Sequence, residues 1–224
     1  MKRIKIYIFA VLGLLFSLGC LQAQDAQDEP FRYLFAPGDH NYSGFGGPLV
    51  QFGPVEGELG VYSGGGGALL IDQRFFVGGY GMGLASRHIH KNVELNGRYY
   101  DRLRTSFGHG GFWLGYIYKP SNLVHLGFST RLGWGELALY DDRYDLDTYD
   151  YHTRDRIFVL HPQLEAELNI TRWFKLNAGV GYQLVTGVDD FRYSDTQELV
   201  FVEDDYSGPQ LTLGFLFGGF GTKR

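Results

Sequence analysis

Residues 157–185, IFVLHPQLEAELNITRWFKLNAGVGYQLV, constrain this chain more than any other stretch, because both halves alternate with a strict period of two. Phe158, Leu160, Pro162, Leu164, Ala166 and Leu168 fall on one face, against Val159, His161, Gln163, Glu165, Glu167 and Asn169 on the other. After a tight turn the pattern repeats, with Phe174, Leu176, Ala178, Val180, Tyr182 and Leu184 against Lys175, Asn177, Gly179, Gly181 and Gln183. One face of this hairpin is apolar throughout and the other carries charges beside glycines. Strands this long with glutamates next to glycines suit a lumen better than a solvated surface, so the apolar face is expected to meet lipid. The fold class that follows is all-β: an eight-stranded antiparallel up-and-down transmembrane β-barrel.

The N-terminus agrees with export. Lys2, Arg3 and Lys5 precede an apolar run over residues 6–18, and Gly19-Cys20-Leu21-Gln22-Ala23 gives a small-residue exit, so residues 1–23 read as a signal peptide. The run is too short for a spanning helix. Cleavage after Ala23 and lipidation at Cys20 compete, and Ser17, where lipid-attachment sequences usually carry an aliphatic residue, favours Ala23. Residues 24–43 are polar, hold Pro30 and Pro37, and read as a periplasmic leader; residues 44–224 are the barrel.

Composition excludes several functions. With Cys20 the only cysteine, no intramolecular disulfide and no cysteine-ligated metal or redox centre can form. Loss of Lys2, Arg3 and Lys5 with the signal takes the formal charge from -5 to -8, which argues against a nucleic-acid partner. The chain has 33 glycines, 18 Phe, 16 Tyr and 3 Trp, more than an ordinary globular domain uses. A small membrane barrel uses both, glycines for a narrow lumen and aromatics for the bilayer interfaces.

The remaining strands are expected at about residues 44–52, with Pro48, Val50 and Phe52 on one face, and 59–71, where Gly64 to Gly67 blur the faces. The next runs over 75–87, showing Phe76, Tyr80, Met82 and Leu84 to lipid. Residues 105–118 place Phe112, Leu114, Tyr116 and Tyr118 outward; residues 124–140 place Val124, Leu126, Phe128, Leu132 and Trp134 outward and His125, Ser129 and Arg131 inward, with a bulge near Gly135-Glu136. Residues 210–219 close the barrel, with Leu211, Leu213, Phe215 and Phe217 outward. Short connections at 72–73, 119–122 and 170–173 alternate with longer ones at 88–103, 141–156 and 189–207, and residues 53–58 form a short link on the long-loop side. That division puts short turns in the periplasm and long loops outside, hence an outer-membrane location.

Phe45-Gly46-Gly47-Pro48, Gly64-Gly65-Gly66-Gly67-Ala68 and Val77-Gly78-Gly79-Tyr80-Gly81 resemble the N-terminal strands of a family of uncharacterised bacterial outer-membrane β-barrel proteins. The resemblance spans roughly a fifth of the chain. It implies fold and location and carries over no functional residue.

For function, the expected lumen network is Arg131, His161, Gln163, Glu165, Glu167, Lys175 and Asn177. The expected lipid-facing set is Phe158, Leu160, Leu164, Leu168, Phe174, Leu176, Val180 and Tyr182. Glu165 and Glu167 need cationic partners in so narrow a space: Lys175 for Glu167, and Arg131 for the remaining glutamate. A Ser-His-acid site from Ser129, His125 or His161, and Glu165 would make a lipid-modifying enzyme, but His125 and Ser129 lie four residues, roughly 13 Å, apart on one strand. Asp145, Asp147, Asp150 and His152 can be read as a calcium loop or, more simply, as a hydrated surface loop, and His88 with His90 as a metal pair. No cofactor is expected. The reading is a small monomeric, non-enzymatic outer-membrane barrel with a structural, surface-interaction or envelope-assembly role, its lumen closed by the polar network. A narrow pore is the alternative and a lipid-modifying enzyme the third. Expected partners are outer-membrane lipid and an envelope or surface partner met by acidic, tyrosine-rich loops such as that carrying Asp189, Asp190, Asp195 and Glu198.

Overall fold

The structure, a computed structural model, describes residues 40–95, 98–141, 151–188 and 202–221. The signal, nearly all of the leader, Asp145, Asp147 and Asp150, and the acidic loop with Asp189, Asp190, Asp195 and Glu198 lie outside the described residues. The His152 side chain lies outside them as well.

Alternating sequence becomes antiparallel strand throughout. The segments are β1 (Tyr42–Val55), β2 (Glu58–Ile71), β3 (Phe75–Leu84), β4 (Ile89–Leu95), β5 (Arg98–Tyr118), β6 (Val124–Asp141), β7 (Tyr151–Asn169), β8 (Phe174–Thr186) and β9 (Gly208–Gly218). Both β3 and β4 pair with β5, β3 against its lower half at Gly108 to Tyr116 and β4 against its upper end at Arg98 to Arg104. They therefore share one position in the ring, and the nine segments make eight positions. The β3–β5 pairing closes the barrel on one side and the β1–β9 pairing on the other.

The exterior is that of a membrane barrel. Phe112, Leu126, Phe128, Leu164 and Val180 are exposed, Leu164 by 64%, while Arg131, Glu165, Glu167 and Lys175 inside are at most 3% exposed. A soluble protein would reverse this, whereas lipid outside and a polar lumen inside require it. Aromatic rings mark both edges of the apolar belt. Phe174 stacks on Phe217 at 5.1 Å and Phe75 meets Tyr116 at 4.9 Å near the periplasmic turns, and Trp134 packs against Phe158 at 5.6 Å near the outer edge. Two residues above Trp134, Glu136 pairs with Arg154 at 3.1 Å, so charge returns to the outer surface where the strands leave the hydrocarbon.

Above that line the pattern inverts. Leu103, Phe107, Leu137, Leu139, Ile157, Val159 and Val185 point inward and form a buried apolar core. The loss of phase expected near Gly135-Glu136 is thus no bulge: pairing continues through Gly135↔Ile157 and Glu136↔Arg156, and the register shifts only between Leu139 and Tyr140. What changes at Glu136 is the solvent outside the strand. The assignment of β3 is also corrected. Phe76, Tyr80 and Met82 are buried inside the barrel and Leu84 packs against the same core, while Gly79, Gly81 and Gly83 occupy the opposite face. Aromatic packing with Phe45 and Trp113 makes this wall of the interior apolar, so hydrophobicity does not tell its two faces apart.

Hairpin turns at both ends of the barrel use left-handed backbone. Glu56 (φ 53°) and Gly57 (φ 77°) join β1 to β2 in two residues, which makes the outer rim low at this point. On the periplasmic side Asp72 (φ 52°) and Gln73 (φ 57°) begin the three-residue link from Ile71 to Phe75. There Asn41 N–H donates to Asp72 Oδ1 at 2.9 Å, and this bond together with His40 at 2.7 Å holds the Asp72 carboxyl below its ordinary range.

Wall pairing is uneven. β1 pairs with β2 continuously from Tyr42↔Ile71 to Val55↔Glu58. Its pairing with β9 skips from Gly46↔Phe217 to Leu49↔Gly214 across Pro48 and ends at Phe52↔Leu211. The next positions would set Gly53 against Gln210 and Pro54 against Pro209, and neither proline has an N–H to give. The ladder between first and last strands therefore stops at Phe52↔Leu211, and the Glu56 N–H donating to the Asp205 carbonyl at 2.9 Å ties the two segments again above it.

Candidate functional site in the barrel lumen

The polar residues expected inside are all there, because β6, β7 and β8 turn their odd-numbered side chains inward. At the periplasmic end, Glu167 lies opposite Asn177 in register, and Lys175 reaches it diagonally. Lys175 Nζ donates to Glu167 Oε2 at 2.9 Å, His125 Nε2 lies 2.8 Å from the same oxygen, and Asn177 Nδ2 is 3.4 Å from Oε1. His125 Nδ1 is 3.1 Å from the Asn122 carbonyl, which fixes the ring. Lys175 and Glu167 side chains are each 2% exposed. A carboxylate buried this far needs such a set of donors.

One layer higher, Ser129 Oγ donates to Glu165 Oε1 at 2.7 Å, and Gln163 Nε2 donates to the same carboxylate oxygen. Trp113 Nε1 donates to Ser129 Oγ at 3.2 Å, and Thr212 Oγ1 to Gln163 Oε1 at 3.0 Å. Arg131 does not take up Glu165. In register Glu165 faces Gly127 and Arg131 faces His161, four residues further along β6, so the guanidinium is carried past the carboxylate. Instead Arg131 Nη1 donates to Gln51 Oε1 at 3.1 Å. Its guanidinium lies 5.3 Å from the Trp113 ring and 5.7 Å from that of Tyr80. Arg131 Nε and Nη2, Glu165 Oε2 and both ring nitrogens of His161 make no hydrogen bond. His161 is thus inside the barrel without a bonded place in the network.

The Arg131–Gln51 bond crosses the barrel. In the ring order β1-β9-β8-β7-β6, strands β1 and β6 stand half a circumference apart. Gln51 passes the contact on to Gln183 Oε1 at 3.0 Å, and Gln183 Nε2 donates to the Tyr206 carbonyl at 3.1 Å. Above this, the rings of Tyr62, Phe107 and Tyr206 meet at 5.6 and 5.3 Å from three separate elements.

Ser129, His125, His161 and Glu165 do not assemble into a Ser-His-acid relay. Ser129 gives its proton directly to Glu165, and His125 is held by Glu167, Lys175 and the Asn122 carbonyl. His88 and His90 stand instead at the outer mouth. His90 Nε2 is 3.1 Å from Glu56 Oε2, and His88 Nδ1 is 3.8 Å from Glu58 Oε2. Among the described residues no group of three or more metal-ligating side chains comes together. Glu56, which sequence reasoning passed over, is the hub of this mouth: Thr105 Oγ1 donates to its Oε1 at 2.6 Å and Tyr206 Oη at 2.8 Å. Burial raises its pKa, but the bonds from His90, Thr105 and Tyr206 and the His90 charge outweigh this and hold the carboxyl below its ordinary range. Gln51, Tyr80 and Gln210 were also missed. Gln51 and Gln210 follow the same period-two alternation and were legible; Tyr80, whose hydroxyl lies 3.0 Å from His109 Nδ1, depends on the corrected face of β3.

The expected lipid-facing residues are outward. Leu164, Val180 and Tyr182 are exposed by 64%, 60% and 46%, and Phe158, Leu160, Leu168, Phe174 and Leu176 are half-buried among their outward neighbours.

No protein-family model matches this chain, and no curated protein matches it. Among solved structures, Neisserial surface protein A is similar over 82% of this chain and 100% of its own, at 10% identity and a TM-score of 0.47. A major outer membrane protein from Thermus thermophilus is similar over 79% of this chain and 98% of its own, at 12% identity and a TM-score of 0.46.

Proposed function

We propose that this outer-membrane barrel is a closed, non-enzymatic envelope protein with a structural, surface-interaction or assembly role, and that it belongs with the uncharacterised barrel family its glycine-rich N-terminal strands resemble. The observation that carries the closed lumen is the Arg131–Gln51 bond across the full width of the ring, capped by the Tyr62, Phe107 and Tyr206 rings. An eight-stranded barrel has an interior just wide enough for its own side chains, and here they fill it with bonded charges and aromatic rings. The acidic outer loops are the surface offered to an envelope or surface partner, and the barrel acts as a monomer in lipid.

A narrow pore is the second reading, favoured by the unbonded Arg131 Nε and Nη2, His161 nitrogens and Glu165 Oε2, groups that a hydrated lumen would solvate. Planar-bilayer recording separates the two. A closed lumen gives no steady conductance. Steady cation-selective current in the wild type, abolished by Glu165→Gln with Glu167→Gln, overturns the closed reading and establishes the pore.

A further inference from the structure

Where β5, β6 and β7 leave the hydrocarbon, the outer face of the wall turns basic. Leu103 and Phe107 point inward from β5, Leu137 and Leu139 from β6, and Ile157 and Val159 from β7. Alternation therefore sends Arg102, Arg104 and Ser106, then Glu136 and Ala138, then Arg154 and Arg156 outward. Lys91 of β4 stands opposite Arg102 in register and shares its face. Among the described residues, this stretch of wall sets Lys91 and the four arginines against Glu136 alone, in a chain whose formal charge is -5.

These cations differ in what they already hold. Arg154 Nε donates to Glu136 Oε2 at 3.1 Å, which neutralises that carboxylate. Arg104 lies over the Tyr140 ring at 5.7 Å, and its Nε makes no hydrogen bond. Arg156 is exposed, stands opposite Glu136 in register, and has no ion pair or side-chain hydrogen bond among the described residues. Beside it is a hollow of about 670 Å³ lined by Ser106, Gly108, Gly110, Trp134, Glu136 and Arg156. Gly108 and Gly110 lie opposite Glu136 and Trp134, so the floor is bare backbone, and the Trp134 ring, 56% exposed, forms the lower wall. Glu136 is two residues above Trp134 and Arg156 two above Phe158, so the hollow straddles the line where the aromatic belt meets water. That is the level of the outer-leaflet headgroups.

We propose that this hollow binds the phosphorylated sugar headgroup of an outer-leaflet glycolipid, its phosphate on Arg156 and its sugar on the glycine floor beside Trp134. The acyl chains then continue down the apolar wall past Phe158 and Phe112. A guanidinium without a protein anion, backed by Arg104 and Arg154, selects an oxyanion that accepts from its planar fork. A zwitterionic headgroup brings its own cation, which this face repels. Ser106 offers a sugar hydroxyl a donor, Glu136 an acceptor and Trp134 an apolar ring face, none of which a bare phosphate uses. The site lies on the outside of the wall and is independent of whether the lumen conducts.

The test uses the full barrel in nanodiscs of diacyl phosphatidylcholine, with retained lipid read by native mass spectrometry. The discs are doped with an acylated glucosamine disaccharide phosphate, with the same glycolipid lacking phosphate, or with diacyl phosphatidylglycerol. The wild type is expected to retain the phosphorylated glycolipid about tenfold better than its dephosphorylated form, and better than phosphatidylglycerol. Arg156→Gln, checked for folding by its heat-modifiable gel mobility, is expected to bring the two glycolipids within about twofold. Arg172→Gln, the same change of charge at the exposed periplasmic turn, is expected to leave the preference intact. Trp134→Leu is expected to lower retention of both glycolipids and leave phosphatidylglycerol unchanged, and millimolar inorganic phosphate to displace neither glycolipid. Equal retention of the two glycolipids by the wild type overturns the proposal, as does a preference that survives Arg156→Gln or falls equally in Arg172→Gln. Phosphatidylglycerol held as well as the phosphorylated glycolipid, glycolipid retention untouched by Trp134→Leu, or displacement by inorganic phosphate overturns it too.

Discussion

Replacing Lys175 with methionine tests the lumen network at its most heavily bonded point. The substitution keeps most of the aliphatic stem and removes the ammonium that lies 2.9 Å from Glu167 Oε2. At that separation a charge pair is worth about 6 kcal/mol gross at an effective dielectric of about 20. Breaking a buried pair from one side typically costs about 3–5 kcal/mol, because the other charge stays buried and unpaired. Glu167 keeps His125 Nε2 at 2.8 Å and Asn177 Nδ2 at 3.4 Å, which compensate in part. The expected loss is therefore at or just below the lower end of that range, about 2–3 kcal/mol. Adding Glu167→Gln removes the stranded charge and is expected to bring the double variant back to within about 1 kcal/mol of wild type. Urea titration of the barrel in liposomes, followed by the fraction retaining heat-modifiable gel mobility, measures both. A single variant within about 0.5 kcal/mol of wild type, or a double variant no more stable than the single, would refute the view that Lys175 holds a buried glutamate.

Other substitutions test the faces, the glycines and the mouth. Leu164→Arg puts a charge on the exposed mid-belt face and is expected to cost about 2–4 kcal/mol, read as loss of the folded gel band. Gly181→Ala is expected to destabilise by about 1–3 kcal/mol, since its methyl would press on the Pro162 carbonyl, Gln163 and His161, whereas Gly81→Ala, with nothing in reach, stays within about 0.5 kcal/mol in the same titration. The Glu56 carboxyl titrates below its ordinary 4.5 in the folded protein, so its contribution to stability is complete above that pH and is lost as pH falls through the folded value. Unfolding measured between about pH 2 and pH 6 is expected to show that loss in wild type and a flatter profile in Glu56→Gln; identical profiles would remove Glu56 as the hub of the mouth.

The β7–β8 hairpin was legible because its two faces differ in kind: Leu164 and Val180 sit against Glu165 and Gly179, and no soluble sheet explains that combination. β3 was not, because three of its lipid-side positions are Gly79, Gly81 and Gly83, while Phe76 and Tyr80 turn in toward Trp113 and His109. A scale that equates apolar with outward must invert such a strand. The same limit applies above the belt, where Leu137 is inside because water, not lipid, surrounds the strand. Lys175 could be matched to Glu167 from sequence since a tight turn fixes their register, but Arg131 reaches Gln51 across the barrel, a contact no local spacing encodes. Glu56 was invisible for the same reason: its partners Thr105 and Tyr206 come from distant parts of the chain.

The uneven seam also bears on how the ring forms. Pairing Phe45 with Gly218 joins the two ends of the barrel sequence, the costliest loop closure the chain makes. Neighbouring hairpins such as β7–β8 close over short turns and gain bonds at once. The seam must wait for all of them, and Pro48, Pro54 and Pro209 then deny it part of its ladder. Ring closure is thus expected late in assembly, after the hairpins have formed. Pro48→Ala, which restores an N–H to β1, is expected to speed refolding into lipid as read by the growth of the heat-modifiable gel band, and an unchanged rate would show that the seam does not limit assembly.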